Sequence, residues 1–265
     1  MFLRTGSVFL LCGLSALAAP ARIDWQSDHP VLIQAGGHYG RIARVDAKTL
    51  LACFDWKRAI HVRRSTDEGK TWEEPVKVAE WPFGSLTNAE LLVLKNGDLL
   101  CFFNRRPSKE RVAKKEPHPF SIGVSRSKDG GRSWSESTTV YEAGVEFGNG
   151  CWEPAALELP SGEVQVYFAN EGPYRNSNEQ EITLMRSEDN GLHWKGAEKI
   201  SFRKGSRDGM PVPVLAKNGR TIAMAIEDNG LGGTFKPVII ASRLDRPGQT
   251  ATAARPARCG GDPAR

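Results

Sequence analysis

The chain has 265 residues and a formal charge of +5, with 40% hydrophobic and 25% charged residues. That balance fits a soluble globular protein and excludes a collagen-like or wholly disordered chain, and the length allows one large or two small domains. The positive charge gathers in Arg105-Arg106, Lys109, Arg111 and Lys114-Lys115 and in the last residues, without interleaved aromatics for base stacking. It therefore reads as a solvated loop, and no nucleic-acid partner is expected.

At the N-terminus, Arg4 precedes an apolar run from Val8 to Leu17, and Ala16-Leu17-Ala18 offers small residues at the cleavage positions. Residues 1–19 are accordingly expected to be a signal peptide of a secreted or periplasmic protein. The run is too short to span a bilayer, and no later segment approaches the length a membrane span needs. Cys53 in Leu-Leu-Ala-Cys-Phe and Cys101 in Leu-Leu-Cys-Phe-Phe stand in matching apolar strands. Both are expected to be buried thiols that pack as small hydrophobes. No C-x-x-C or His-x-x-x-His spacing occurs, so a structural zinc site is not expected.

The first repeat element follows as Ser65-Thr66-Asp67-Glu68-Gly69-Lys70-Thr71-Trp72, and it returns from Ser127 to Trp134 and from Ser187 to Trp194. The shared pattern S-x-D-x-G-x-x-W starts at 65, 127 and 187, a spacing of 62 and then 60 residues. Such a period marks units that bury their faces on one another. Within each box the Asp can accept backbone N–H groups, the Gly can take positive φ and the Trp can wedge between sheets, so the box is structural.

Around the boxes, strands are predicted over residues 42–45, 49–54, 59–65 and 72–79 in a first unit and 89–94, 98–104, 120–127 and 134–141 in a second. A third covers 155–159, 163–169, 181–187 and 194–202, and a fourth begins with 212–216, 221–226 and 237–242. Asn96-Gly97 and Asn218-Gly219 are hairpin turns between two of these pairs. Short antiparallel units repeated in this way predict an all-β propeller of four-stranded blades.

The boxes resemble those of the sialidase (neuraminidase) superfamily, whose catalytic domains are six-bladed propellers. The resemblance covers roughly residues 30–242. Gly40-Arg41-Ile42-Ala43 is similar to the superfamily's Arg-Ile-Pro motif, with Ala43 in place of the proline. Gly150-Cys151-Trp152-Glu153-Pro154, Gln165 to Glu171 and Ala225-Ile226-Glu227-Asp228-Asn229 together look like the exo-arabinanase branch. That resemblance implies an exo-acting, anomeric configuration-retaining glycoside hydrolase with an oligo- or polysaccharide substrate and neither a metal nor an organic cofactor, and Glu153 and Glu227 as the catalytic carboxylates. Which is acid and which nucleophile stays open. So do two other functions: an exo-sialidase, which needs an arginine cluster for the substrate carboxylate, and a non-catalytic carbohydrate-binding propeller.

Strand alternation alone places first-strand starts and second-strand ends on one face, opposite the boxes. That face is expected to hold Asn104 and, as substrate-binding residues around the two glutamates, Arg41, Asp55, Glu90, Arg105, Trp152, Glu171, Arg207 and Asp208, while Tyr174 is expected to bind substrate by stacking on a sugar ring. Glycoside hydrolysis needs one protonated and one ionised carboxylate at such a place. Histidines 38, 61, 118 and 193 have no nucleophile motif beside them and are read as structural or surface residues.

The organisation expected from these observations is a signal peptide, a partial propeller of about four blades over 22–244, and an aberrant or disordered tail over 245–265. The tail, Asp245 to Arg265, is dominated by Pro, Gly, Ala and Arg and has no strand pattern. An arc of four blades is expected to leave apolar faces and strand edges unpaired, so that the chain by itself self-associates or is inactive.

Overall fold

The alternating apolar runs pair in sequence order into antiparallel sheets in a computed structural model that describes residues 29–115 and 118–244. The first sheet holds β1 (His38–Arg44), β2 (Leu50–Trp56), β3 (Ala59–Ser65) and β4 (Val76–Ala79). The second holds β5 (Gly84–Val93), β6 (Leu99–Pro107), β7 (Ser121–Ser127) and β8 (Thr138–Glu142), with a short helix α1 (Lys109–Ala113) in the β6–β7 connection. The third holds β9 (Cys151–Glu158), β10 (Val164–Asn170), β11 (Glu181–Ser187) and β12 (Lys195–Ser201). The fourth has β13 (Asp208–Leu215), β14 (Thr221–Asp228) and β15 (Lys236–Arg243).

These sheets are the blades of a propeller. The innermost strands β1, β5, β9 and β13 pack on one another in series, so their starts gather at one mouth of the axis. The chain divides into two units at Val31/Leu32; of the first only residues 29–31 are described, as exposed chain, and the propeller belongs to the second. The expected signal peptide and tail, with Cys259, lie outside the described residues.

One register position explains the packing between blades. The second strands align on Phe54, Phe103, Phe168 and Ile226, the residues opposite the inner-strand bulges described below. Counted from them, Leu51 and Cys53 look forward to the second blade, and Leu99, Cys101 and Phe103 look back to the first. Leu100 and Phe102 then meet Val164, Val166 and Phe168, while Tyr167 and Ala169 meet Ile222, Met224 and Ile226. Because successive strand residues point to opposite faces, β6 and β10 each feed two cores and read as continuous apolar runs. Cys53, Cys101 and Cys151 are free buried thiols inside these cores. On the fourth blade the forward face stays open, with Val212, Val214 and Ile239 each more than half exposed.

The boxes join third to fourth strands at the end away from the mouth. In the first, Asp67 takes the Thr71 N–H at 2.9 Å and the Thr71 hydroxyl at 2.6 Å, while Ser65 Oγ accepts the Gly69 N–H at 2.8 Å. The side-chain bond from Thr71, then its backbone N–H, holds the Asp67 carboxyl down at about 2. The boxes around Asp129 and Asp189 repeat this. Gly131 has φ +88° and lies so close to Leu51 of the preceding blade that a Cβ there would stand 2.8 Å from its Cδ2. Arg64 reaches forward to the Gly130 carbonyl at 2.7 Å, and Arg126 does the same to Asn190.

Each inner strand carries a bulge at the same depth. Tyr39-Gly40, Asn88-Ala89, Glu153-Pro154 and Met210-Pro211 each oppose a single residue of the second strand. The first residue of each pair is left-handed, with φ of 53°, 56°, 57° and 46°. A non-glycine residue rarely takes that conformation, and such bulges re-aim side chains beside functional sites. The inner strands therefore start four or five residues before the predicted ones, and the structure corrects those starts. It also corrects the fourth strands, which begin after the boxes rather than at their tryptophans.

Candidate active site

Glu153 owes its place to its bulge. Its backbone N–H donates to Asn104 Oδ1 of β6 at 2.8 Å, and its Oε2 accepts the Met210 N–H of β13 at 3.1 Å. Burial comes first among the causes that push its carboxyl above the ordinary value, and the charges of Glu227 and Glu171 add to it; the Met210 N–H and Arg106 oppose it. Glu227 comes from the next blade, at the end of β14 opposite Gly209. It is exposed, in contrast to the half-buried Glu153. The two carboxylates thus come from adjacent blades, near enough for the charge of Glu227 to act on Glu153, in unlike surroundings.

Glu171, just past β10, is buried and forms an ion pair with Arg207. Arg207 is held in turn by Gln180 Oε1 at 2.6 Å and by Asn178 Oδ1 at 3.0 Å. Its guanidinium is thereby fixed against the third blade. Tyr174 stacks on Phe202 at 4.9 Å and donates its hydroxyl to Glu181, and burial followed by that bond pushes its phenol well up. Asp208 and Asp228 lie opposite each other in β13 and β14 and are both fully buried. Arg203 bridges them, Ser201 donates to Asp208, and the Gly230 N–H bonds Asp228 at 2.7 Å. Burial raises the Asp208 carboxyl despite the Ser201 bond and Arg203.

On the other side of the mouth, Arg41 pairs with Glu90 at 3.5 Å and lies over the Tyr39 ring. Burial pushes Glu90 up to about 7, with Arg41 pulling against it. Burial likewise raises Asp55, which feels His38 and Arg106. The Arg106 guanidinium lies over the Trp152 ring, 4.9 Å from its centroid. That indole packs edge-on to Phe120, and Gly150 must be glycine because a Cβ would come within 2.3 Å of Trp152 Cζ2. Among the described residues, no group of three or more His, Cys, Asp or Glu side chains is disposed to hold a metal ion. No helix among them is long and apolar enough to cross a membrane.

The BNR repeat-like domain matches residues 52–202 and 113–231, which together cover more than half of the chain. The chain belongs to the BNR repeat-like family. This agrees with the sialidase-superfamily resemblance of its boxes. Comparison with curated proteins gives no match. Among solved structures, a Penicillium chrysogenum alpha-L-arabinanase complexed with arabinobiose is similar at 21% identity, over 83% of this chain and 65% of that one, with a TM-score of 0.67. A Fusarium graminearum alpha-L-arabinofuranosidase in complex with an iminosugar inhibitor is similar at 20% identity, with the same coverages and TM-score. A Hadza microbial sialidase aligns at 15% identity over 78% of this chain and 44% of that one, with a TM-score of 0.61. At these identities the likeness establishes the propeller fold, and this chain spans about two thirds of the length of the two fungal proteins.

The BNR repeat-like scaffold brings Glu153, Glu227, Glu171 and Arg207 to one side of the mouth and Arg41, Glu90, Asp55 and Trp152 to the other. It does not bring Arg105 there. Arg105 is buried and turns outward to Thr139 Oγ1 at 2.7 Å and Ser137 Oγ at 2.8 Å of the blade's outer edge. The basic cluster 105–115 is therefore not one solvated loop: it contains this buried arginine, the ring-stacked Arg106 and helix α1, capped by Ser108. Sequence reasoning placed Asn104 on this face without giving it a role, and missed Arg106. Their period-2 spacing, with Arg105 between them, was the signal that both share a face and Arg105 does not.

Proposed function

We propose that this propeller mouth performs exo-acting glycoside hydrolysis with retention, in the manner of an exo-α-L-arabinanase. The single observation that supports this is the Glu153/Glu227 pair: two carboxylates from adjacent blades, one pushed up by burial and by its neighbour's charge, the other in water. One carboxyl held in a burying site beside another left in water is the arrangement that divides such chemistry between an acid and a nucleophile.

In this reading Glu153 holds its proton and gives it to the glycosidic oxygen as that bond breaks. Glu227 attacks the anomeric carbon, forming a glycosyl ester. Glu153, now ionised, takes a proton from water as the water displaces Glu227. Retention requires carboxyl groups about 5–5.5 Å apart. Arg41, Glu90, Asp55, Glu171, Tyr174 and Arg207 are assigned to holding sugar hydroxyls, directly or through one another, and Trp152 to stacking. Asp208 and Arg105, being buried, are assigned to holding strands in place. Export through residues 1–19 is part of the same proposal, since polymeric plant sugars lie outside the cell.

The test is a hydrolysis screen on arabinan and sialyl conjugates with the protein from its native source, and with Glu153→Gln and Glu227→Gln variants. Release of arabinose units with retained anomeric configuration, lost in both variants, is the expected result. Cleavage of the sialyl conjugate alone would transfer the reading to an exo-sialidase. Binding of arabinan without cleavage would leave a carbohydrate-binding propeller.

A further inference from the structure

The strained conformation of Glu153 needs something to hold it. A non-glycine residue with φ near +57° is strained and persists only where its surroundings over-determine it. The surroundings here come from the neighbouring blade. Asn104, fully buried at the mouth end of β6, donates through Nδ2 to the Cys151 carbonyl and accepts the Glu153 N–H at Oδ1. The two bonds grip the backbone on both sides of Trp152. Only a side-chain amide offers a donor and an acceptor at this reach, and only one of its two orientations satisfies both backbone groups.

We propose that Asn104 is the positioning residue of the site: it clips the 151–153 segment across the junction of the second and third blades and so aims the Glu153 carboxylate at the Met210 N–H and toward Glu227. The proposal rests on Glu153 being the acid of the reaction described above, but the clip itself does not depend on which sugar is cleaved. Side chains from its own blade and from both neighbours then act on the aimed carboxyl: Glu171 beyond β10, Arg106 from β6 and Glu227 from β14. Asn104 stands at the same register position as Glu227, one residue past Phe103 as Glu227 is one past Ile226. One place in the blade thus supplies the clip in the second and a carboxylate in the fourth.

The experiment follows the Glu153 carboxyl directly, by carbon-13 NMR titration of δ-labelled glutamates, with the resonance assigned through Glu153→Gln. In Asn104→Ala the bulge relaxes, Glu153 gains water, and its midpoint falls toward the ordinary glutamate value. In Asn104→Asp the acceptor stays while a like charge is added beside Glu153, so the midpoint rises. Opposite shifts in two folded variants are not produced by a residue that merely stabilises the fold, and an unchanged midpoint in either would overturn the proposal. Should both variants fail to fold, amide exchange of Glu153 in the unaltered chain decides: slow exchange is expected of the clipped N–H, and free exchange overturns it. None of these readouts uses a substrate, so a failed hydrolysis screen would leave the clip standing. Where hydrolysis is seen, Asn104→Ala is expected to lower kcat by about 100-fold, the cost of an ångström's misplacement, with KM changed much less.

Discussion

Replacing Arg203 with methionine tests the buried charge cluster that flanks Glu227. Asp208 and Asp228 face each other across β13 and β14 without exposure, and Arg203 is the cation between them. Removing one partner of a buried ionic group leaves uncompensated charge and costs about 3–5 kcal/mol. The Arg203 side chain is itself about one third exposed, so water can enter in its place and the low end, about 3 kcal/mol, is expected. For a domain of this size that lowers Tm by roughly 6–12 °C. The loss should depend on pH. Asp208 already binds its proton more tightly folded than unfolded, so its contribution is full below the unfolded value and falls as pH rises through the folded one. Without Arg203 the folded value rises further, and the penalty grows with pH. Urea unfolding of both proteins at pH 5 and pH 8 measures this, with the larger difference expected at pH 8. An equal loss at both values would refute the idea that Arg203 acts by neutralising these carboxylates.

Glu153→Gln and Glu227→Gln should each lower kcat far more than they alter KM, as steady-state kinetics on the cleaved substrate will report. Because Arg106 holds Glu153 down, Arg106→Ala should raise its pKa, and the alkaline limb of the rate profile, where the acid loses its proton, should move to higher pH. Arg41→Met should move the Glu90 midpoint above about 7, readable by the same carbon-13 titration. Gly150→Ala forces a methyl against the Trp152 indole and should cost about 1–3 kcal/mol by overpacking, with a change in tryptophan fluorescence and a lower Tm.

The blades could be read in the sequence because their physics is local. Two-sided burial writes continuous apolar runs such as Leu-Leu-Ala-Cys-Phe, and the boxes close on their own residues from Ser65 to Thr71. The mouth was harder to read for a physical reason. A bulge shifts the alternation by one residue, so a pattern search starts the inner strand at Ala155 or Val212 and leaves Trp152-Glu153 and Asp208-Gly209 outside it. Glu153 was visible by resemblance, yet its left-handed backbone and its grip by Asn104 depend on a residue 49 positions earlier. The same non-local pairing separates Arg105 from Arg106: neighbours in the chain, one faces an outer strand and the other an indole of the next blade. Arg203, between Asp208 and Asp228, gave no signal of its own.

The open forward face of the fourth blade bears on acidity as well as on packing. Glu227 projects from the same side of β14 as Ala223 and Ala225, whose neighbours in β13 and β15 are Val214, Val212 and Ile239. Any surface that settles on those apolar side chains also strips water from the Glu227 carboxylate. Desolvation disfavours its charge, and that charge is one of the causes raising the Glu153 carboxyl above its ordinary value. Crowding of a hydrophobic patch would then be felt as a change in proton affinity at the mouth, which makes the titration of Glu153 a reporter of what the fourth blade touches.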